Sequence, residues 1–252
     1  MDEIGVGVQL YTLRNECEKD FFETLVRVAG IGYEGVELAG LYGHEPEAVK
    51  EKLDELGLSV IGHHVPIERM ERELDAVIGE QKALGNTRIV CPWLPPERRS
   101  SEDFAQVASV LKHVAAVCAQ SDLQICYHHH DFELGHTLET SELYTILQAD
   151  SSIQAEFDIY WLNQGGHDPV EWMNQFAGRT PIVHLKDRSD DEREATVILG
   201  TGNIHIEEVI QQGPTSGVKW WVVEQDECDY DPIESVTQSY QYLRKVQLEN
   251  KM

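Results

Sequence analysis

LQICYHHH (residues 123–130), IQAEFD (153–158), PIVHLKD (181–187) and WWVVE (220–224) are short apolar runs, each ending in a residue able to hold a divalent metal. The candidate ligands His128, Asp158, His184 and Glu224 lie 30, 26 and 40 residues apart. Gaps of that size fit a strand followed by a helix, so the four converge only if their strands lie side by side and parallel. A mixed imidazole and carboxylate cluster at the C-terminal strand ends is where a β/α barrel carries its chemistry.

Outward from these runs, the same alternation covers the whole chain. Strands are expected at 5–10, 35–38, 59–63, 88–91, 123–127, 153–158, 181–185 and 220–224. Amphipathic helices, with apolar residues at i, i+3 and i+4, are expected at 20–29, 46–56, 70–84, 104–119, 141–148, 169–176 and 232–246. Gly30 with Gly32, Gly57 and Gly85 fall where a helix hands over to a strand, the usual place for a left-handed cap. Eight strands alternating with helices predict an α/β fold, a (β/α)8 TIM barrel in a single domain over residues 1–252. An open doubly wound sheet is the rival, but VGVQLYTLR follows the chain's start where that fold needs GxGxxG.

Composition narrows the partners. The 252 residues include 45 acidic and 20 basic side chains, a formal charge of −25 that repels phosphate backbones and anionic lipid. No nucleic acid or membrane partner is therefore expected. Five scattered cysteines without a CxxC pair argue against a disulfide framework or a zinc ribbon and for a reducing compartment. MDEIGVGVQLYTLR lacks the basic and long apolar regions of a signal peptide, so the expected localisation is cytoplasmic.

Strand alternation decides what faces the barrel interior. His128 and His130 share a face, with His129 outward; Glu156, Asp158 and Tyr160 share another. His184 pairs with Lys186, and Glu224 with Val222 and Asp226. Two imidazoles and two carboxylates suit one divalent ion, Mn²⁺, Mg²⁺, Co²⁺ or Zn²⁺, and the lack of cysteine points to a catalytic rather than a structural site. Each residue also has a plainer reading. A lone strand-end histidine is often structural, Asp158 suits a helix N-cap, and Glu224 suits a salt bridge to Lys186.

Other positions open onto the same rim. Glu37 ends GVEL, and His63 and His64 end SVIGHH; pairing with a basic neighbour, or burial, is the alternative for each. Trp93 and Tyr160, with Trp161, suit an apolar wall for a sugar face, or simply the core. LGTGNI (199–204) offers backbone N–H groups to a phosphate or hydroxyl, or makes a turn, and SDDERE (189–194) reads as a solvated loop.

Together GYEGVEL, YHHHDFE, FDIYWL, VHLKD, LGTGNI and VEQDE resemble the xylose isomerase-like sugar phosphate isomerase/epimerase superfamily, the AP endonuclease 2-type TIM barrel. The resemblance covers essentially the whole chain. It implies a divalent metal at the C-terminal mouth and a sugar or polyol substrate. Asp158, His184 and Glu224 match the metal ligands, Lys186 a substrate-contacting position and His64 a polar rim position. One position departs. The ketose 3-epimerases carry a glutamate on the fifth strand, where this chain offers His128 or His130 as ligand or base.

The resulting expectation is a metal-dependent isomerase or epimerase. It would take a proton from carbon beside the carbonyl of a keto-sugar, keto-polyol or sugar phosphate, with Glu224, His128 and His130 as candidate catalytic groups. Substrate contacts are expected from Lys186, His64, Glu37, Trp93 and Tyr160. The inosose dehydratase branch is also His-rich at the fifth strand, so a lyase is an alternative. A phosphodiesterase like endonuclease IV is opposed by the charge of −25. A non-catalytic sugar-binding barrel is the rival from another class. A homo-oligomer is compatible with the sequence.

Overall fold

Eight parallel strands close on themselves in sequence order. In the computed structural model, which describes residues 4–249, they are β1 (Gly5–Gln9), β2 (Gly35–Leu38), β3 (Ser59–His64), β4 (Arg88–Cys91), β5 (Gln124–His128), β6 (Ile153–Asp158) and β7 (Ile182–Leu185). A short antiparallel hairpin, β8 (Asp187–Arg188) with β9 (Thr196–Val197), follows before β10 (Trp220–Val223), the eighth stave. β10 pairs with β7 on one side and β1 on the other, which completes the expected TIM barrel.

The strands form where β-branched and aromatic residues run together because both faces are covered. Their outer faces meet helices and their inner faces meet each other. Inside the barrel, Ile61, Ile182 and Val222 make a small apolar cluster with Trp220 against it. Gly7 admits Ile61, since a Cβ there would lie 2.0 Å from its Cδ1. Alternation then sets the next layer: two residues beyond Ile182 and Val222 come His184 and Glu224, both buried. The barrel thus has an apolar floor and a polar upper storey.

Helices Phe21–Ile31, Pro46–Leu56, Ile67–Leu84, Ser101–Cys118, Glu142–Gln148, Pro169–Gln175 and Pro232–Glu249 correspond to the seven expected amphipathic stretches. The Asp20 carboxylate caps the first by accepting from Glu23 N–H at 2.9 Å, and a Ser100–Asp103 capping box opens the fourth. Gly32, at φ 115°, ends the first of these helices, whereas Gly30 lies inside it.

Three helices escape the sequence pattern: Arg14–Lys19, Ile159–Gln164 and Ile206–Ser216. The third contains Gly213–Pro214, a pair that ordinarily reads as a break. The proline falls in the last turn, so the N–H it lacks and the distortion from its ring affect only the helix end, which Gly217 caps at φ 82°. Among the described residues no helix is long and apolar enough to cross a membrane.

Candidate functional site

His128, Asp158, His184 and Glu224 meet at the C-terminal mouth. Each offers one donor atom, and these atoms all lie within 4.8 Å of one another. Register explains it: Asp158 pairs with His184 across β6 and β7, and Glu224 follows β10 directly beside them. The plainer reading of Asp158, a helix N-cap, is met by one of its two carboxylate oxygens. Its Oδ1 caps helix Ile159–Gln164, accepting from Tyr160 N–H (2.9 Å) and Trp161 N–H (3.2 Å), while Oδ2 faces the mouth. His184 donates from Nδ1 to Glu224 Oε2 at 2.8 Å and from Nε2 to Glu37 Oε2 at 2.5 Å. Burial opposes its charge, but Glu156, Glu37 and Glu224 hold the imidazole in its protonated form, well above its usual range.

Lys186 supplies the counter-charge at the mouth. Its wholly buried ammonium lies 2.9 Å from Asp158 Oδ2, 2.8 Å from Glu224 Oε2 and 2.9 Å from Asp226 Oδ2. The plainer expectation of a Glu224–Lys186 salt bridge is therefore met as well. Burial pushes the Asp158 carboxyl up to about 6 despite Lys186. Glu224 goes the other way, since Lys186 and His184 overcome its burial and hold it below the ordinary carboxylate range.

The donor set suits a divalent cation. Donors about 2.1 Å from one ion lie roughly 3–4 Å from each other, so the quartet needs little contraction. Cation uptake would replace the His184 Nδ1 proton, and Asp226 would keep Lys186 paired at the rim. His128 Nδ1 is buried and makes no hydrogen bond, although Glu156 Oε1 is only 3.3 Å away. Burial and the neighbouring His184, His130 and His64 keep His128 neutral, the form that ligates.

The remaining expectations divide. His130 is not in the quartet; it lines the mouth cavity, stacked on Phe132 at 5.5 Å and beside Trp161. Burial and Lys186 keep it neutral. His129 turns away from the cavity and ties β5 to β6, accepting from Asp158 N–H at 3.2 Å. His64, Lys186 and Trp93 line the cavity, which encloses about 690 Å³, a size suited to a small ligand.

Glu37 and Tyr160 are not among the residues lining the cavity. Glu37 is fully buried against His184. Tyr160 is not on the wall, because β6 stops at Asp158 and the chain turns into a helix that breaks the alternation. Its hydroxyl donates instead to Glu194 O at 2.8 Å. Its neighbour Trp161 comes closer, with Lys186 Nζ 5.6 Å from its ring.

LGTGNI presents its N–H groups to the chain itself. Gly200, Gly202 and Ile204 donate to the Asp187 carboxylate at 2.9, 2.9 and 3.1 Å, which fills the place an anion would take. SDDERE joins β8 to β9 as an exposed tip.

Three residues at the site were not singled out from the sequence. Glu156 is wholly buried beside His64 and His184 at 3.0 and 3.1 Å, and its alternation with Asp158 was the available signal. Gln9, a polar end to the apolar β1, lies with Nε2 3.1 Å from His64 Nε2. Arg69 reaches the cavity from helix Ile67–Leu84, which no strand pattern could indicate.

A protein-family model, the xylose isomerase-like TIM barrel, matches residues 25–246. The chain belongs to this family. An inosose dehydratase of Geobacillus kaustophilus is 25% identical over 68% of this chain and 63% of its own length, less than two thirds of that relative. An inosose dehydratase of Clostridium botulinum is 22% identical over 90% of both chains. Two solved structures in the family's fold are also similar. A sugar phosphate isomerase/epimerase from Parabacteroides distasonis has a TM-score of 0.81 at 21% identity, over 96% of this chain and 94% of that one. IolI, solved with a zinc atom, has a TM-score of 0.74 at 15% identity, over 98% and 99%.

Proposed function

We propose that the protein removes a proton from carbon beside the carbonyl of a keto-sugar or keto-polyol, as an isomerase or epimerase that uses one divalent ion. The observation that carries this reading is the quartet His128, Asp158, His184 and Glu224 with their donor atoms within 4.8 Å, two of which, His128 and Glu224, line a cavity of ligand size. The zinc atom in IolI supports a metal in a barrel of this fold. A divalent ion bound there polarises the carbonyl and lowers the cost of developing negative charge by several kcal/mol.

The chain's own groups handle the proton. His130, neutral and on the cavity wall, is the base on one face, worth about 10²–10⁴-fold. Glu224 stands at the other end of the site, and Lys186 steadies negative charge on oxygen through its ammonium. Substrate would be held between the His64 side and the exposed ring of Trp93. Proton return to the opposite face gives epimerisation, and return to the neighbouring carbon gives isomerisation.

A second reading, loss of a β-hydroxyl from the same enediolate, is favoured by the inosose dehydratases among the relatives. There Lys186 would donate to the departing oxygen. Incubation of ketoses and inososes in D₂O with Mn²⁺ tests both. Deuterium beside the carbonyl in an unchanged skeleton is expected for the first, and a product lighter by one water for the second. No exchange and no elimination across the panel, in metal-loaded protein, would leave a sugar-binding barrel.

A further inference from the structure

Below the mouth quartet, β2, β3, β6 and β7 send a second set of groups to one point inside the barrel. Glu37 Oε2 lies 2.5 Å from His184 Nε2, and Glu156 Oε1 lies 3.1 Å from the same nitrogen. His64 Nε2 lies 3.0 Å from Glu156 Oε1 and 3.4 Å from Glu37 Oε1. One donor atom from each of the four residues falls within 4.8 Å of all the others. We propose that Glu37, His64, Glu156 and His184 form a second, inner cation site, joined to the mouth site by the His184 ring, which with both sites filled would give up its Nδ1 and Nε2 protons to solvent and bridge the two ions as an imidazolate. Its Nδ1 faces Asp158 and Glu224, and its Nε2 faces Glu37 and Glu156.

One observation beyond the clustering points to an ion. Glu37 and Glu156 are both fully buried, and Glu37 Oε1 and Glu156 Oε2 make no hydrogen bond. Buried carboxylate oxygens without a donor are costly unless a cation or a hydrogen bond compensates them. Gly62 makes room for the Glu37 carboxylate itself, since a Cβ there would sit 3.0 Å from Oε1. Lys186, whose ammonium fills the space between the mouth carboxylates, is not paired with Glu37 or Glu156, so among the described residues the charged partners of these two acids are imidazoles, those of His64, His128 and His184.

The donor chemistry sets the ligand class. Two imidazole nitrogens and two carboxylate oxygens, three of these four side chains fully buried, suit Zn²⁺ or Co²⁺ better than the oxygen-seeking Mg²⁺. Four protein donors leave no position for substrate, the mark of a structural ion. Only His64, at the cavity floor, offers a way in. The inner ion would fix the tilt of the His184 ring and balance two acids in the barrel's centre.

The inference holds whatever reaction the mouth performs, and metal counting separates the two sites. Metal-stripped protein titrated with Zn²⁺, with bound metal measured by elemental analysis, should take up two ions per chain. Glu156→Gln should take up one, and so should Asp158→Asn, which alters the mouth alone. His64→Asn provides a second inner variant if Glu156→Gln fails to fold. A wild-type chain holding one ion, or inner variants still holding two, would overturn the inner site. Two ions retained by Asp158→Asn would instead count against the mouth quartet.

Discussion

The ammonium of Lys186, among three carboxylates 2.8–2.9 Å away, is the residue on which the metal-free site depends. Lys186→Met should destabilise metal-free protein by about 3 kcal/mol or more, because Asp158 and Glu224 stay buried without their partner. Saturating Mn²⁺ should recover much of that loss, and denaturant titrations with and without metal measure it. Glu133 offers a pH test away from the quartet. Burial pushes its carboxyl from 4.5 up to about 7, while Tyr127 Oη and His130 N–H donate to it at 2.8 and 2.9 Å. The folded chain therefore holds this proton more tightly than the unfolded chain. Its contribution is full below about pH 4.5 and is lost as pH rises through 7, amounting to about 3 kcal/mol. Glu133→Gln should flatten that part of the stability profile between pH 5 and pH 8; an unchanged slope would contradict the burial argument. At this scale the convergence of His128, Asp158, His184 and Glu224 was legible, since strand-end position and alternation identify inward groups. Glu156 obeyed the same rule two residues before Asp158 but looked like one more strand acid.

Elements were legible where local pattern and tertiary demand agree. β2, β4 and β6 match their expected bounds because apolar runs buried on both faces have abrupt ends. Helix Ile206–Ser216 shows the opposite case. Its Gly213–Pro214 pair denies a helix locally, yet the fold needs a glycine there, since a Cβ would lie 2.3 Å from the buried ring of Trp221. Gly213→Ala, a favourable change on helix propensity alone, should therefore cost about 1–3 kcal/mol through overpacking. A gain in thermal stability would show that the ring yields instead. Tyr160 fails for a related reason: Asp158 caps a helix, and a cap ends the two-residue alternation on which its placement relied.

Closure of the whole barrel sets which distant residues meet. Glu37 and His184 are 147 positions apart and lie on β2 and β7, which are not neighbours. Contacts across the barrel depend on strand stagger, including the register shift between Val36 and Glu37, and no one-dimensional pattern carries that information. The molecule's charge of −25 favours uptake of a divalent cation over release of one, and the mouth collects that field where Asp158, Glu224 and Asp226 converge. Crystals grown with Mn²⁺ and measured near its absorption edge put the central claim to a direct test. An anomalous peak about 2.0–2.4 Å from donor atoms of Asp158, His184 and Glu224 is the predicted result. A map with no peak among those three side chains, at saturating Mn²⁺, would contradict it.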